Sequence, residues 1–189
     1  MARDDSDDRL LIVGLGNPGP EYGGTRHNVG AMAIARLATR LKVKLIHSKP
    51  LGCWTARRGR TVLAIPNSFM NESGPPVARL AAKFGTPKPL VVNDDLDLPL
   101  GTIRFRTQGT AGGHHGLESV IGALGHDCFP RLKIGIGRPE NRGNVVEWVL
   151  TPFPAGEQEL LESTLDRAAK ALRDVMNEGM GKAMSRYSQ

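Results

Sequence analysis

The run Leu10-Leu11-Ile12-Val13, closed by Gly14, is apolar at four successive positions. A strand with one wet face would alternate apolar and polar residues, so an unbroken run predicts a strand covered on both sides. Leu90-Val91-Val92 repeats the signal. Between them, Gly30, Ile34, Leu37 and Leu41 recur at helical spacing and predict an amphipathic helix over about 28–41, with Asn28 or Thr25 near its cap. Strands hidden on both faces require helices on both faces. The expected fold is therefore α/β, a three-layer sandwich with a mixed central β-sheet flanked by helices.

The other elements fit this plan. Val43–Ile46, Trp54–Arg57 and Thr61–Ile65 read as strands, the last two joined as a hairpin through Arg58-Gly59-Arg60. Ser73 before Pro75 and Pro76 starts a helix that Gly85 stops. Ile103 and Phe105 alternate with Arg104 and Arg106, and Leu132, Ile134 and Ile136 alternate likewise, so both segments are strands. A helix after the glycine-rich loop Gly109–Gly116 carries Leu117, Val120, Ile121 and Leu124 on one side. Leu161, Leu165, Ala168, Leu172 and Val175 mark a long helix from about Glu157 to Glu178, while the apolar residues 145–150 are too few to assign. Residues 1–9 read as a flexible acidic leader and 10–189 as a single domain, a size that suits one hydrophobic core.

Composition narrows the function classes. No stretch approaches the roughly 18 apolar residues of a membrane span, and Met1–Arg9 has no apolar signal core. Cys53 and Cys128 are the only cysteines and lack C-x-x-C spacing, which argues against a disulfide scaffold or a zinc site and for a reducing, cytoplasmic setting. The net charge is +6; the first ten residues hold four Asp and two Arg, so the remainder carries 23 Lys+Arg against 15 Asp+Glu, or +8. A basic body attracts polyanions, nucleic acid foremost. No membrane or obligate protein partner is expected, and the chain is expected to be a monomer.

In open α/β sheets ligands sit beyond the carboxyl ends of the strands, so the loops after Val13, Ile65, Val92 and Phe105 are where chemistry is expected. Gly14-Leu15-Gly16-Asn17-Pro18-Gly19 matches the G-x-G-x-x-G pattern, but Pro18, Pro20, Gly23 and Gly24 resist the helix that must open inside a dinucleotide fingerprint. No acidic residue for a ribose lies between Glu21 and Glu72, which leaves only an NADP variant through Arg36 or Arg40. No cofactor and no metal is expected. His27 follows this loop, and Asp94 ends a buried strand of the same sheet, from where it could orient and charge-stabilise the imidazole; such a pair without a serine elbow points to a general base acting on water. Singly, such a histidine is more often a packing residue, and Asp94, Asp95 and Asp97 more often a solvated turn. A metal reading joining His27, His114 or His115 to the aspartates lacks ligand spacing. Asn17 and Asn71 follow strands and offer neutral amides suited to holding a peptide group, although asparagine is also an ordinary turn residue. Phe69 and Met70 read as core or cleft wall. Arg104 and Arg106 with Arg131 and Lys133 form a possible phosphate stripe or an ordinary solvated strand face.

Taken together, Gly14–Gly19, Tyr22 with Thr25-Arg26-His27-Asn28, Phe69–Gly74, Asp94–Pro99, Gly112-Gly113-His114-His115-Gly116-Leu117 and Arg131–Gly137 resemble the bacterial-type peptidyl-tRNA hydrolase family, from about residue 10 to the C-terminus. The resemblance implies an α/β sandwich and hydrolysis of the ester joining a peptide to tRNA. It implies His27 as general base, Asp94 as its support, and Asn17 as the sensor of a blocked α-amino group. Asn71 would hold the peptide or the tRNA end, Tyr22 and Phe69 would line the site, and Arg104, Arg106 and Lys133 would contact tRNA. His115 stands where the family usually has Asn; a neutral imidazole also donates a hydrogen bond, but it gains charge in acid. Two rivals remain: a non-catalytic RNA-binding protein on the same fold, and a nucleotide-dependent oxidoreductase.

Overall fold

The computed structural model describes residues 9–139 and 144–187. Seven strands form one mixed sheet in the order β2-β3-β4-β1-β5-β7-β6. They are β1 Leu10–Gly14, β2 Ile46–Ser48, β3 Cys53–Arg58, β4 Thr61–Pro66, β5 Leu90–Asp95, β6 Ile103–Arg106 and β7 Arg131–Gly135. The middle four, β4, β1, β5 and β7, run parallel, and antiparallel strands extend the sheet at both edges. The helices are α1 Val29–Arg40, α2 Gly74–Phe84, α3 His115–Leu124, α4 Val145–Leu150, α5 Gln158–Glu178 and α6 Met180–Tyr187.

The unbroken apolar runs divide between two cores because successive side chains on a strand point to opposite faces. Ile12, Leu63, Leu90 and Val92 enter the core built with α1, α5 and α6. Leu11, Val13, Val62, Ala64 and Val91 enter the core under α2 and α3. This is the three-layer sandwich expected from the residues. Cys53 lies in the second core, where burial pushes its thiol up to about 12; both cysteines are free.

Local details differ from, or add to, the expectations. Val43–Ile46 is not the second strand: Val43 N–H bonds Ala38 O behind α1, and β3 offers pairing partners only to Ile46–Ser48. Residues 145–150 are a short helix, capped by the Asn144 side chain on the Val146 N–H at 3.1 Å. After Gly179 ends α5, an additional helix, α6, buries Ala183 and Tyr187. The apolar spacing read from the sequence stops with Val175 before that glycine, and the eight residues of α6 are too few to announce a helix. The α1 cap also differs, since neither Thr25 nor Asn28 caps with its side chain. Of the leader, only Arg9 is described, exposed, with Nη1 3.5 Å from Phe84 O.

One close approach positions the site. A Cβ on Gly14 would lie 2.3 Å from Gly30 O, and a Cβ on Gly30 would lie 2.3 Å from Val92 O. Helix α1 therefore rests backbone to backbone on the carboxyl ends of β1 and β5, carrying the turn Arg26–Asn28 down beside Asp94. Backbone contacts cannot yield as the end of a flexible side chain does, and overpacking of this kind costs typically about 1–3 kcal/mol. Gly30→Ala is expected to destabilise the fold by about that amount in urea unfolding.

Candidate active site

His27 lies in a 3-10 turn before α1 and Asp94 near the end of β5; both are buried. His27 Nδ1 is 3.0 Å from both Asp94 oxygens. Since an ionised carboxylate only accepts, Nδ1 carries the proton and donates. That leaves Nε2 as the ring's basic nitrogen, and His27 borders a cavity walled by Ala111–His115, Leu117 and the valines of α4.

A second imidazole completes the arrangement. His114 Nε2 is 2.9 Å from Asp94 Oδ1, while its Nδ1 accepts the N–H groups of Gly116 and Leu117 at 3.1 and 3.2 Å as the N-cap of α3. An Nδ1 that accepts two amides bears no proton, so His114 is the neutral Nε2–H tautomer and donates to Asp94. Left-handed Gly112 and Gly113, with φ of 59° and 80°, turn the chain sharply enough to bring it there. The G-G-H-H-G run is its signal in the sequence, where residue type alone offers His114 only as a metal ligand. His27, Asp94 and His114 do bring their ligand atoms within 4.8 Å of one another. The cap argues for a proton in place of an ion, because a neutral imidazole that ligates through Nε2 needs its proton on Nδ1, facing two N–H donors.

Burial alone would raise the Asp94 pKa, but the N–H groups that His114 and then His27 turn on its oxygens hold the carboxyl well below the usual carboxylate range. The folded pKa is depressed, so this ionisation adds stability above the unfolded carboxyl's titration, near pH ~4, and that stability is lost as pH falls. Urea unfolding between about pH 5 and 2 is expected to show a steeper loss for the wild type than for Asp94→Asn.

The asparagine loop joins the same assembly. Asn17 Oδ1 accepts from Met70 N–H at 2.7 Å, and Asn17 exchanges two bonds with Asn28, from its N–H to Oδ1 at 2.8 Å and from Asn28 Nδ2 to its carbonyl at 2.9 Å. Asn28 thus ties the loop to α1. With Oδ1 occupied, Asn17 Nδ2 remains a donor without a partner among the described residues. Met70 is buried in the second core, its sulfur against Gly116, so it is core and not cleft wall. Half-buried Tyr22 and exposed Phe69 meet edge to face, 6.3 Å between ring centres, and Asn71 is exposed beside them.

The basic residues separate. Arg104 pairs with Lys133 across β6 and β7, and Lys133 Nζ bonds Asp95 Oδ2 at 2.7 Å on the rim of the His27 cavity. Arg106 is exposed one step along. Arg131 is not part of a phosphate stripe: it is buried, binds the carbonyls of Gly109, Thr110 and Asp127, and lies over Phe129, which fixes the start of the loop to α3. His115 is exposed on the cavity rim, with Nδ1 3.0 Å from Glu118 Oε2. The G-x-G-x-x-G segment runs as loop and turns up to the 3-10 turn, and α1 opens only at Val29, so no helix N-terminus sits in the motif.

Fold and site define a class: a three-layer α/β protein with a carboxylate-supported imidazole at the carboxyl ends of its parallel strands. The family model for peptidyl-tRNA hydrolase matches residues 11–189. Peptidyl-tRNA hydrolases of Moorella thermoacetica and Aquifex aeolicus are each 45% identical, over 95% and 87% of this chain and 97% and 88% of their own. The crystal structure of peptidyl-tRNA hydrolase from Acinetobacter baumannii superposes with a TM-score of 0.88 at 33% identity, covering 96% of this chain and 95% of that one. The chain belongs to the peptidyl-tRNA hydrolase family.

Proposed function

We propose that this chain hydrolyses the ester linking a peptide to tRNA, with His27 as general base. The observation that carries the mechanism is the pair of imidazole N–H groups converging on buried Asp94, which leaves His27 Nε2 to take a proton from water. Imidazole serves near neutral pH, and the carboxylate stabilises the cation formed as water attacks. His114 cannot compete for this proton without giving up its cap on α3. Asn17 supplies the discrimination. Its Nδ2 is a donor, which pairs with the carbonyl of an acylated α-amino group and finds no acceptor on the ammonium of an aminoacyl ester. Asn71, Tyr22 and Phe69 border the approach to it. Arg104, Arg106 and Lys133 supply positive charge for tRNA phosphates beyond the cavity.

Among the described residues no helix is long and apolar enough to cross a membrane. We infer a cytoplasmic monomer that needs neither cofactor nor protein partner, because its chemistry uses only side chains of this chain. The NADP reading loses its basis with the absence of a helix N-terminus at the glycine motif. The relatives described above are named as hydrolases, which supports turnover over RNA binding alone.

The test is turnover of N-acetyl-aminoacyl-tRNA without added cofactor. His27→Ala is expected to lower kcat by about 10²–10⁴-fold. Asp94→Asn should fall in the same range, since whichever oxygen the amide nitrogen replaces lies 3.0 Å from His27 Nδ1, where donor would face donor and force the ring toward the wrong tautomer. Binding of the tRNA without turnover would instead support the RNA-binding rival. For His115→Asn, retained turnover with a flatter acidic limb of the pH–rate profile is expected; an unchanged profile would remove His115 from the mechanism.

A further inference from the structure

Helix α4 supplies Val145, Val146 and Val149 to the cavity beside His27, and its own side chains reach the first core only through Val149 and, partly buried, Trp148. It is six residues long, only Val149 is buried, and Val145, Val146 and Leu150 are 40%, 55% and 38% exposed. What holds it is the residue before His27. Arg26 is 2% exposed, and its guanidinium lies 3.9 Å from the ring centre of Trp148 in α4 and 4.7 Å from that of Phe153 just beyond. Its Nη1 bonds Glu157 Oε2 at 2.7 Å. The backbones are joined too: Arg26 N–H bonds Thr151 O at 3.1 Å, Phe153 N–H bonds Gly24 O at 3.3 Å, and Thr25 bridges Pro152. On its other side, Trp148 Nε1 bonds Gly137 O at 2.8 Å, behind β7.

We propose that Arg26 is a positioning residue for the hydrolytic reaction, latching the α4 wall of the substrate cavity to the turn that carries His27. The inference rests on the hydrolase reading and extends it. Cation and ring faces suit each other electrostatically, and a planar guanidinium stacks where an ammonium does not. Because Arg26 and His27 are adjacent in one 3-10 turn, a single element sets both the base and the facing wall, and so the width of the cavity between them. Glu157 keeps a 35% exposed side chain, so removing the guanidinium leaves no carboxylate stranded in the interior.

Three variants separate this from a role in folding alone: Arg26→Met, Arg26→Lys and, from the opposite side, Trp148→Leu. With N-acetyl-aminoacyl-tRNA, each is expected to raise KM about fivefold or more while kcat changes less than twofold, the pattern of lost binding that is uniform between ground and transition state. Lysine should not rescue, because it keeps the charge and loses the stack. Hydrogen exchange read by mass spectrometry is expected to quicken at least tenfold in residues 145–150 and to stay unchanged in β1 and β5. KM within twofold of wild type, a fall in kcat as large as the rise in KM, rescue by lysine, or unaltered exchange in α4 would each overturn the latch. Should Arg26→Met fail to fold, the Trp148→Leu variant decides by the same readings. Absent turnover by the wild type would overturn the hydrolase reading, and the exchange measurement would still decide whether Arg26 holds α4.

Discussion

The site depends on one buried negative charge. A carboxylate away from water is costly unless donors surround it, and Asp94 has two imidazole N–H groups on its oxygens. Each is oriented from elsewhere. His114 is set by the amides at the start of α3, and His27 by a turn that the glycine contact between α1 and the strands lowers into place. The charge therefore serves stability and chemistry together: satisfying it aligns the two rings, and aligning them leaves one nitrogen basic toward the cavity.

Around that charge the structure is organised as tethers between loops that lie far apart in sequence. Asn28 holds the loop of Asn17, Asn17 holds Met70, and the Met70 sulfur lies under Gly116 at the start of α3. Arg131 holds the loop that precedes α3 by its carbonyls, and Arg26 reaches the segment after α4. Arg131, a candidate for a phosphate stripe in the sequence, and Arg26 are thus internal struts. Arg104 and Arg106 lie toward the β6 edge, with Lys133, bonded to Asp95, next to the cavity.

Much of this was legible in the chain itself. Runs such as Leu10–Val13 and Leu90–Val92 specify two-sided burial because period-2 geometry sends neighbours to opposite faces, and the observed cores divide them so. Helices α1, α2, α3 and α5 follow from apolar spacing with glycine or proline at their limits. Candidate residues were also legible, since a histidine after one buried strand and an aspartate at the end of another are natural partners in a parallel sheet. Less legible were β2, whose extent follows its neighbour's register, and α6, eight residues beyond the helix break at Gly179.

By itself the sequence determined the layers, the strand ends at which chemistry would gather, and the residue types able to perform it, because periodicity and turn chemistry are local properties of the chain. Tertiary structure alone decided which side chains meet. It made His114 a proton donor to Asp94, turned Arg26 and Arg131 inward, and set Asn17 with its donor left over. Those roles come from hydrogen bonds and ring contacts between residues tens of positions apart, and such partners are chosen by strand order and helix docking, which no local pattern encodes.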